Sequence, residues 1–282
     1  MILSDLRLYP LKSARGFSLP EARVTRAGLD GDRRFMLVHP DGRFITQREL
    51  GALAQVEARA DAEGHLQLRH GTRQASAHFD PARRLVVTVW DSTVDAALAD
   101  DAANAAVSGW LGLPVCIVQM DARAHREASA DWAPPGSPVG FADGFQILVT
   151  TTASLADLNL SMQKAGEAPV GMDRFRPNLL IDATDPWDED FWQTIEVGGV
   201  VLDLVKPCSR CVMTTQDQIT GARTGGNPLK GLFDKRLSTD PRVTGPLFGW
   251  NAVPRGEGRL EIGAPVRVLE RRPDRWAMKV RA

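Results

Sequence analysis

The sequence predicts an α+β protein, predominantly β, organised as two β-rich domains. Three observations carry that prediction. Short runs rich in Val, Ile, Leu and Phe recur along the chain, most of them bounded by Gly, Pro or Asp. Only two stretches show helical spacing of apolar residues. A charged, proline-bearing stretch between Asp121 and Val139 interrupts the pattern and reads as a linker or long surface loop.

In chain order, the β-rich runs are Arg34–His39, Leu85–Trp90, Pro114–Met120, Phe145–Thr150, Asn178–Asp182, Ile195–Val205 and Arg259–Leu269. The first helix, Asp100–Leu111, sets Ala103, Ala106, Val107, Trp110 and Leu111 at helical spacing, with Asp at its start and Gly112 past its end. The second, Ser154–Ala165, opens on Ser-x-x-Asp, a variant of the capping box, and stops at Gly166. The boundaries that follow are residues 1–122 for the first domain, 123–138 for the linker and 139–272 for the second domain.

Composition excludes several function classes. The 282 residues are 43% hydrophobic, enough for a sizeable core in one large or two ordinary domains. The formal net charge is −1, and Lys and Arg interleave with Asp and Glu, so no basic stripe for nucleic acid is present. The N-terminus lacks a signal-like apolar block, and no run approaches a bilayer span, which points to a cytoplasmic protein with no membrane partner. Neither a phosphate-binding Gly-x-x-x-x-Gly-Lys loop, a dinucleotide fingerprint nor a His-Glu-x-x-His helix occurs.

Three cysteines are present. Cys116 lies in an apolar run and reads as a small buried hydrophobe. Cys208 and Cys211 follow the strand-like run that ends at Val205, where Pro207 forces a strand to stop or bulge. Zinc would need four ligands, and no second pair exists. A redox dithiol favours a strand-to-helix turn, whereas strand-like residues follow Cys211. A single thiolate on a soft metal, helped by Arg210, is the third reading. On the Cys-x-x-Cys spacing alone, inert or structural use weighs most.

The surrounding motifs change that balance. Lys206-Pro-Cys-Ser-Arg-Cys211 and the following Val-Met-Thr-Thr-Gln-Asp217 resemble the cysteine motif of MOSC domains, found in molybdenum-cofactor sulfurases and amidoxime-reducing enzymes. Tyr9-Pro-Leu-Lys-Ser13 and Gly31-Asp-Arg-Arg-Phe35 resemble motifs of the family's N-terminal β-barrel domain. Phe141-Ala-Asp-Gly144, Ala153-Ser-Leu-Ala-Asp-Leu-Asn159, Arg174-Phe-Arg-Pro-Asn178 and Pro246-Leu-Phe-Gly249 are similar to blocks of the MOSC domain. The blocks stand in family order and span nearly the whole chain. The resemblance implies an N-terminal β-barrel-like domain followed by a MOSC β-barrel domain.

It also implies a molybdenum–molybdopterin cofactor, with Cys211 as the catalytic metal ligand. Lys12, Arg34, Arg176 and Arg210 occupy the motif positions expected to grip its anionic groups, with Ser13, Asn178 and Ser209 adding neutral hydrogen bonds. Asp143 and Asn251 stand where family members contact the cofactor; mitochondrial members place a tyrosine where this chain has Asn251. The implied activity is reduction of small N-hydroxylated or N-oxide-type compounds. No targeting segment and no ferredoxin-type cysteine cluster are present, so electrons are expected from a separate ferredoxin-, flavin- or cytochrome-type donor with its reductase. The alternative is a non-catalytic or sulfur-handling carrier of the cofactor.

Overall fold

The computed structural model describes residues 1–61 and 63–279. An eight-stranded sheet organises it, in the spatial order Val266–Arg271, Trp192–Val197, Val200–Ser209, Leu247–Pro254, Ile147–Thr151, Leu179–Asp182, Ile2–Leu8 and Phe17–Ser18. Neighbours are antiparallel except Ile147–Thr151 and Leu179–Asp182, which run parallel. A parallel pair needs a crossover, and the longest of the three described α-helices lies within it. The helices are α1 (Asp101–Leu111), α2 (Thr152–Lys164) and α3 (Pro228–Lys235), α2 being the one in the crossover. None is long and apolar enough to cross a membrane.

Local chemistry explains most of the boundaries. In α1 the Asp100 side chain accepts from the Ala103 N–H at 2.9 Å, and Gly112 closes the helix with φ 71°. α2 starts two residues before the expected Ser154, because Thr151 caps it by accepting from the Ser154 N–H at 3.2 Å. The run expected as one strand from Ile195 to Val205 is a hairpin: Gly198 and Gly199, with φ 54° and 89°, form the two-residue turn between Trp192–Val197 and Val200–Ser209. The run Arg259–Leu269 likewise divides at Gly263, φ 88°, into Gly258–Glu261 and Val266–Arg271.

One face of the large sheet packs Leu3, Leu6, Val149, Ile181, Ile195 and Leu202 with Trp192 and Trp250. Each such side chain fully withdrawn from water contributes roughly 1.5–3 kcal/mol. On another side Leu158 and Met162 of α2 and Leu232 of α3 meet Phe175, Trp187 and Phe248. Phe175 and Phe248 stack with their ring centroids 3.9 Å apart.

Residues 35–119 build a four-stranded antiparallel sheet ordered Phe35–Val38, Cys116–Gln119, Ser92–Ala99 and Phe79–Val89. A three-stranded sheet, Glu57–Ala60, Leu66–His70 and Arg73–Ala77, shares a core with α1. Cys116 is half-buried in its strand, consistent with a packing role.

Hydrogen bonding does not follow the division at residues 122 and 139. Ile2–Leu8 pairs with Leu179–Asp182, and Glu21–Thr25 pairs with Gly258–Glu261. The stretch expected as a surface linker is also anchored. Arg126 is buried and donates to the carbonyls of Gly140, Ala142 and Asp143 at 2.8, 2.6 and 3.1 Å.

Candidate functional site

Pro207 sits near the end of Val200–Ser209, opposite Trp250, and the pairing slips before Ser209 meets Leu247. That bulge is the one expected from a residue with no N–H to donate. The chain then turns through Arg210 and Cys211 into a 3-10 turn, Val212–Thr215, in place of the strand-like continuation that the sequence suggests. The Arg210 N–H donates to the Pro246 carbonyl at 2.8 Å and anchors the turn.

This turn forms one wall of a cleft of about 340 Å³. The opposite wall comes from the N-terminal part and includes Lys12, Ser13, Arg33, Arg48 and Trp90. Seven cationic side chains line the cleft against a single carboxylate, Asp143. Four of its residues, Ser13, Arg33, Trp90 and Arg176, have φ of 65°, 45°, 53° and 54°. Only one other described non-glycine residue, Trp187, lies in that left-handed region, so this backbone strain is concentrated at the cleft.

Of the residues singled out in the sequence, Lys12, Ser13, Asp143, Arg176, Asn178, Ser209, Arg210, Cys211 and Asn251 all line the cleft. Arg34 does not; its neighbour Arg33 does. Arg33 stands in a left-handed turn just before the strand Phe35–Val38, and that local turn directs its side chain, not that of Arg34, toward the opening. The Arg34 Nε is instead buried without a hydrogen-bond partner.

Several of these groups are held by the protein itself. The Asn178 amide accepts from Leu148 N–H and Arg33 at 3.1 and 3.0 Å and donates to the Arg7 carbonyl at 3.2 Å, which makes it a positioning group. The Asn251 amide donates to the Lys206 carbonyl across the sheet at 3.2 Å. Ser209 Oγ donates to the Thr244 carbonyl. Arg33 pairs with Asp32, and Arg33 and Arg176 stand 4.2 and 4.4 Å from the centre of the Tyr9 ring. Burial draws the Arg176 guanidinium down to about 10, with Tyr9 opposing, so it remains charged at neutral pH.

Lys12 Nζ lies 2.5 Å from Asp143 Oδ1 and 2.9 Å from the Phe141 carbonyl. Burial lowers the lysine, opposed by Asp143. Burial also acts to raise the Asp143 carboxyl, but the adjacent Lys12 charge outweighs it and holds that group well below the usual carboxylate range.

The cysteines differ from expectation in one respect. Arg210, expected to favour a Cys211 thiolate, donates instead to Cys208 Sγ at 2.9 Å. Burial pushes the Cys208 thiol up, and Arg210 offsets part of that rise. The guanidinium beside Cys211 is Arg48, with Nη2 3.4 Å from Sγ. Arg48 comes from the other wall, and no local motif around the cysteines could have identified it. Arg33 was within reach of the sequence, being the other arginine of the Gly31–Phe35 motif.

What can such a cleft hold? Its cations far outnumber its anion, and Arg210 Nε and Arg174 Nη1 are buried with no hydrogen-bond partner. Both observations fit a bound polyanion. The Cys211 sulfur supplies a soft ligand for a thiophilic metal at the same place. A molybdopterin-type group, with its anionic phosphate and metal dithiolene, fits this donor set.

Fold and cleft thus define a class: a two-part β protein with a strongly cationic cleft between its parts and a cysteine-bearing turn as one wall. The chain belongs to the MOSC family: residues 1–114 match the MOSC N-terminal beta barrel domain and residues 136–267 the MOSC domain. It is similar to mitochondrial amidoxime-reducing component 1 of Homo sapiens, 28% identical over 95% of this chain and 82% of that protein. Similarity to mitochondrial amidoxime reducing component 2 of Bos taurus is 29%, over 94% and 82%. The molybdenum cofactor sulfurase of Oryza sativa subsp. japonica is 26% identical over 93% of this chain but only 34% of its own length.

Proposed function

We propose that this protein is a molybdenum-cofactor-dependent oxidoreductase that reduces small N-hydroxylated or N-oxide-type compounds, using electrons from a separate donor protein. The observation that carries this reading is the Cys211 thiol, which stands with Cys208 in a cleft lined by seven cationic side chains. The similarity to amidoxime-reducing components sets its direction.

In this reading Cys211 Sγ ligates the metal, while Arg174, Arg176 and Arg210 hold the anionic part of the cofactor through charge-assisted hydrogen bonds. Asn178 and Asp32 keep Arg33 in place, and Asp143 compensates the buried Lys12. When bound, the cofactor supplies a two-electron redox centre, and the protein supplies orientation and electrostatics around it.

The test is protein made in a cofactor-competent host, analysed for molybdenum and pterin, then assayed with a hydroxylamine-type substrate. Turnover is expected with reduced viologen dye and not with NADH alone; a reductase with a small ferredoxin, flavin or cytochrome carrier should restore it. Bound molybdenum without turnover of any N-hydroxylated compound would favour the sulfur-handling alternative that the sulfurase relative suggests. Protein that never retains molybdenum would defeat both.

A further inference from the structure

Most cations of the cleft have internal partners. Lys12 has Asp143, Arg33 has Asp32, Arg174 has Asp217 at 3.5 Å, and Arg176 donates to Gln218 at 3.0 Å. Arg48 is exposed and makes no ion pair among the described residues, although the Asp143 carboxylate feels its charge, and it points Nη2 at the Cys211 sulfur. Its guanidinium lies 4.8 Å from the centre of the Trp90 ring.

Trp90 is itself unusual. It occupies the first position of the two-residue turn between Phe79–Val89 and Ser92–Ala99, a position that favours Asn, Asp or Gly. There it adopts φ 53°, and the residue is 37% exposed. A bulky residue in that conformation costs on the order of 1–3 kcal/mol. Nearly two-thirds of the residue is buried, which offsets that cost, and the remainder faces the cleft. The surroundings fix it, with Phe44 at 5.2 Å between ring centres and Nε1 3.3 Å from Asp143 Oδ1. The loop bearing Phe44 and Arg48 is pinned to the same hairpin at Gly42, whose carbonyl accepts from Thr88 N–H at 3.0 Å. A Cβ at Gly42 would come within 2.4 Å of the Val86 carbonyl oxygen.

We propose that Arg48 and Trp90 form the substrate-facing wall of the cleft. Arg48 donates to the oxygen of the substrate's N–O group beside Cys211, and the stacked pair favours flat, conjugated substrates over saturated ones. A guanidinium lying over an indole is weakly hydrated and presents N–H groups at its edge. A flat ring extends that stack with close dispersion contact, whereas a puckered ring of equal size meets it only at a few atoms. This assignment rests on the reductase reading above.

Phenylhydroxylamine and cyclohexylhydroxylamine, alike in size and reacting group, separate the two contributions. With cofactor-loaded protein and reduced viologen, the KM for the phenyl compound should be the lower. Trp90→Ala should raise only the phenyl KM, and Arg48→Ala should raise both, by about tenfold in each case. Trp90→Phe should keep the preference, and Arg48→Lys should lose it while keeping the oxygen contact. Molybdenum content should stay unchanged throughout. Equal KM values in the unaltered protein, or a preference that survives Trp90→Ala, would overturn the proposal. If neither compound turns over, the reductase reading fails, and calorimetric binding of phenylhydroxylamine to the oxidised protein decides the wall separately. Binding weakened by Arg48→Ala upholds it; binding that is absent, or indifferent to that change, overturns it.

Discussion

Two charged clusters border the strand Leu247–Pro254, and they follow opposite rules. At the first, Arg236 and Asp190 form a buried bidentate pair at 2.5 and 2.9 Å. Trp250 Nε1 donates to the same carboxylate at 3.1 Å, and Arg236 lies over the Trp187 ring at 4.1 Å. At the second, the cleft, cations exceed anions, two guanidinium nitrogens are buried without partners, and the backbone is strained. Matched charge that is closed to solvent fixes the position of strands and helices. Unmatched charge facing an opening has value only when something else enters.

That contrast can be broken by substitutions on either side. The largest effect is expected at the cleft. Cys211→Ser should abolish reductase activity and strip molybdenum from the protein, because a hydroxyl is a poor ligand for a soft metal. Cys208→Ser, which replaces the sulfur that Arg210 meets with a hydroxyl, should leave most activity and metal in place. Equal loss from both, measured by turnover and elemental analysis, would point to a dithiol and end the single-ligand scheme.

Next comes the matched pair. Asp190→Asn should lower unfolding free energy by about 3–5 kcal/mol, since it strands a buried guanidinium. Denaturant titration measures this, and a change under about 1 kcal/mol would mean the pair is not the fastening argued above. Arg176→Ala should do the reverse. Cofactor affinity should fall by about 1.5–3 kcal/mol through the lost charge-assisted contact, with stability little altered. Full pterin content in purified Arg176→Ala would remove this arginine from the anchor.

The smallest effect depends on pH. Glu189, beside the matched pair, is pushed up to about 7 by burial, against the hydrogen bond from Ser154. A carboxyl that binds its proton more tightly when folded stabilises the fold fully below its unfolded value near 4.5, and that contribution is lost as pH rises through about 7. Stability should therefore decline across that window by on the order of 1–3 kcal/mol. Glu189→Gln should flatten the decline, and an unchanged slope in thermal unfolding would assign it to other groups.

Much of the site was legible because it lies in contiguous motifs. Lys12 and Ser13, Arg176 and Asn178, and Ser209 through Cys211 each sit within a few residues of one another, and all line the cleft. Arg34 was misplaced by one position, because sequence alone does not say which of two adjacent side chains turns toward an opening. Helix α3 was passed over although Asn227 at its cap and Pro228 at its first turn mark a start. Its eight residues are too few for a clear periodicity.

The sequence by itself determined the β-rich class, the capped helix α1, the bulge at Pro207 and the cysteine turn, all consequences of residues close along the chain. Tertiary structure alone decided which arginine meets which cysteine. Arg48 and Cys211 are 163 positions apart, and only the docking of the N-terminal loops against the large sheet brings them to 3.4 Å. The same docking buries Arg126 in a stretch that reads as linker, and it lets Ile2–Leu8 join a sheet whose other long strands begin after residue 146. Local chemistry sets turns, caps and strand ends. Long-range pairing depends on complementary surfaces that no short window of sequence contains.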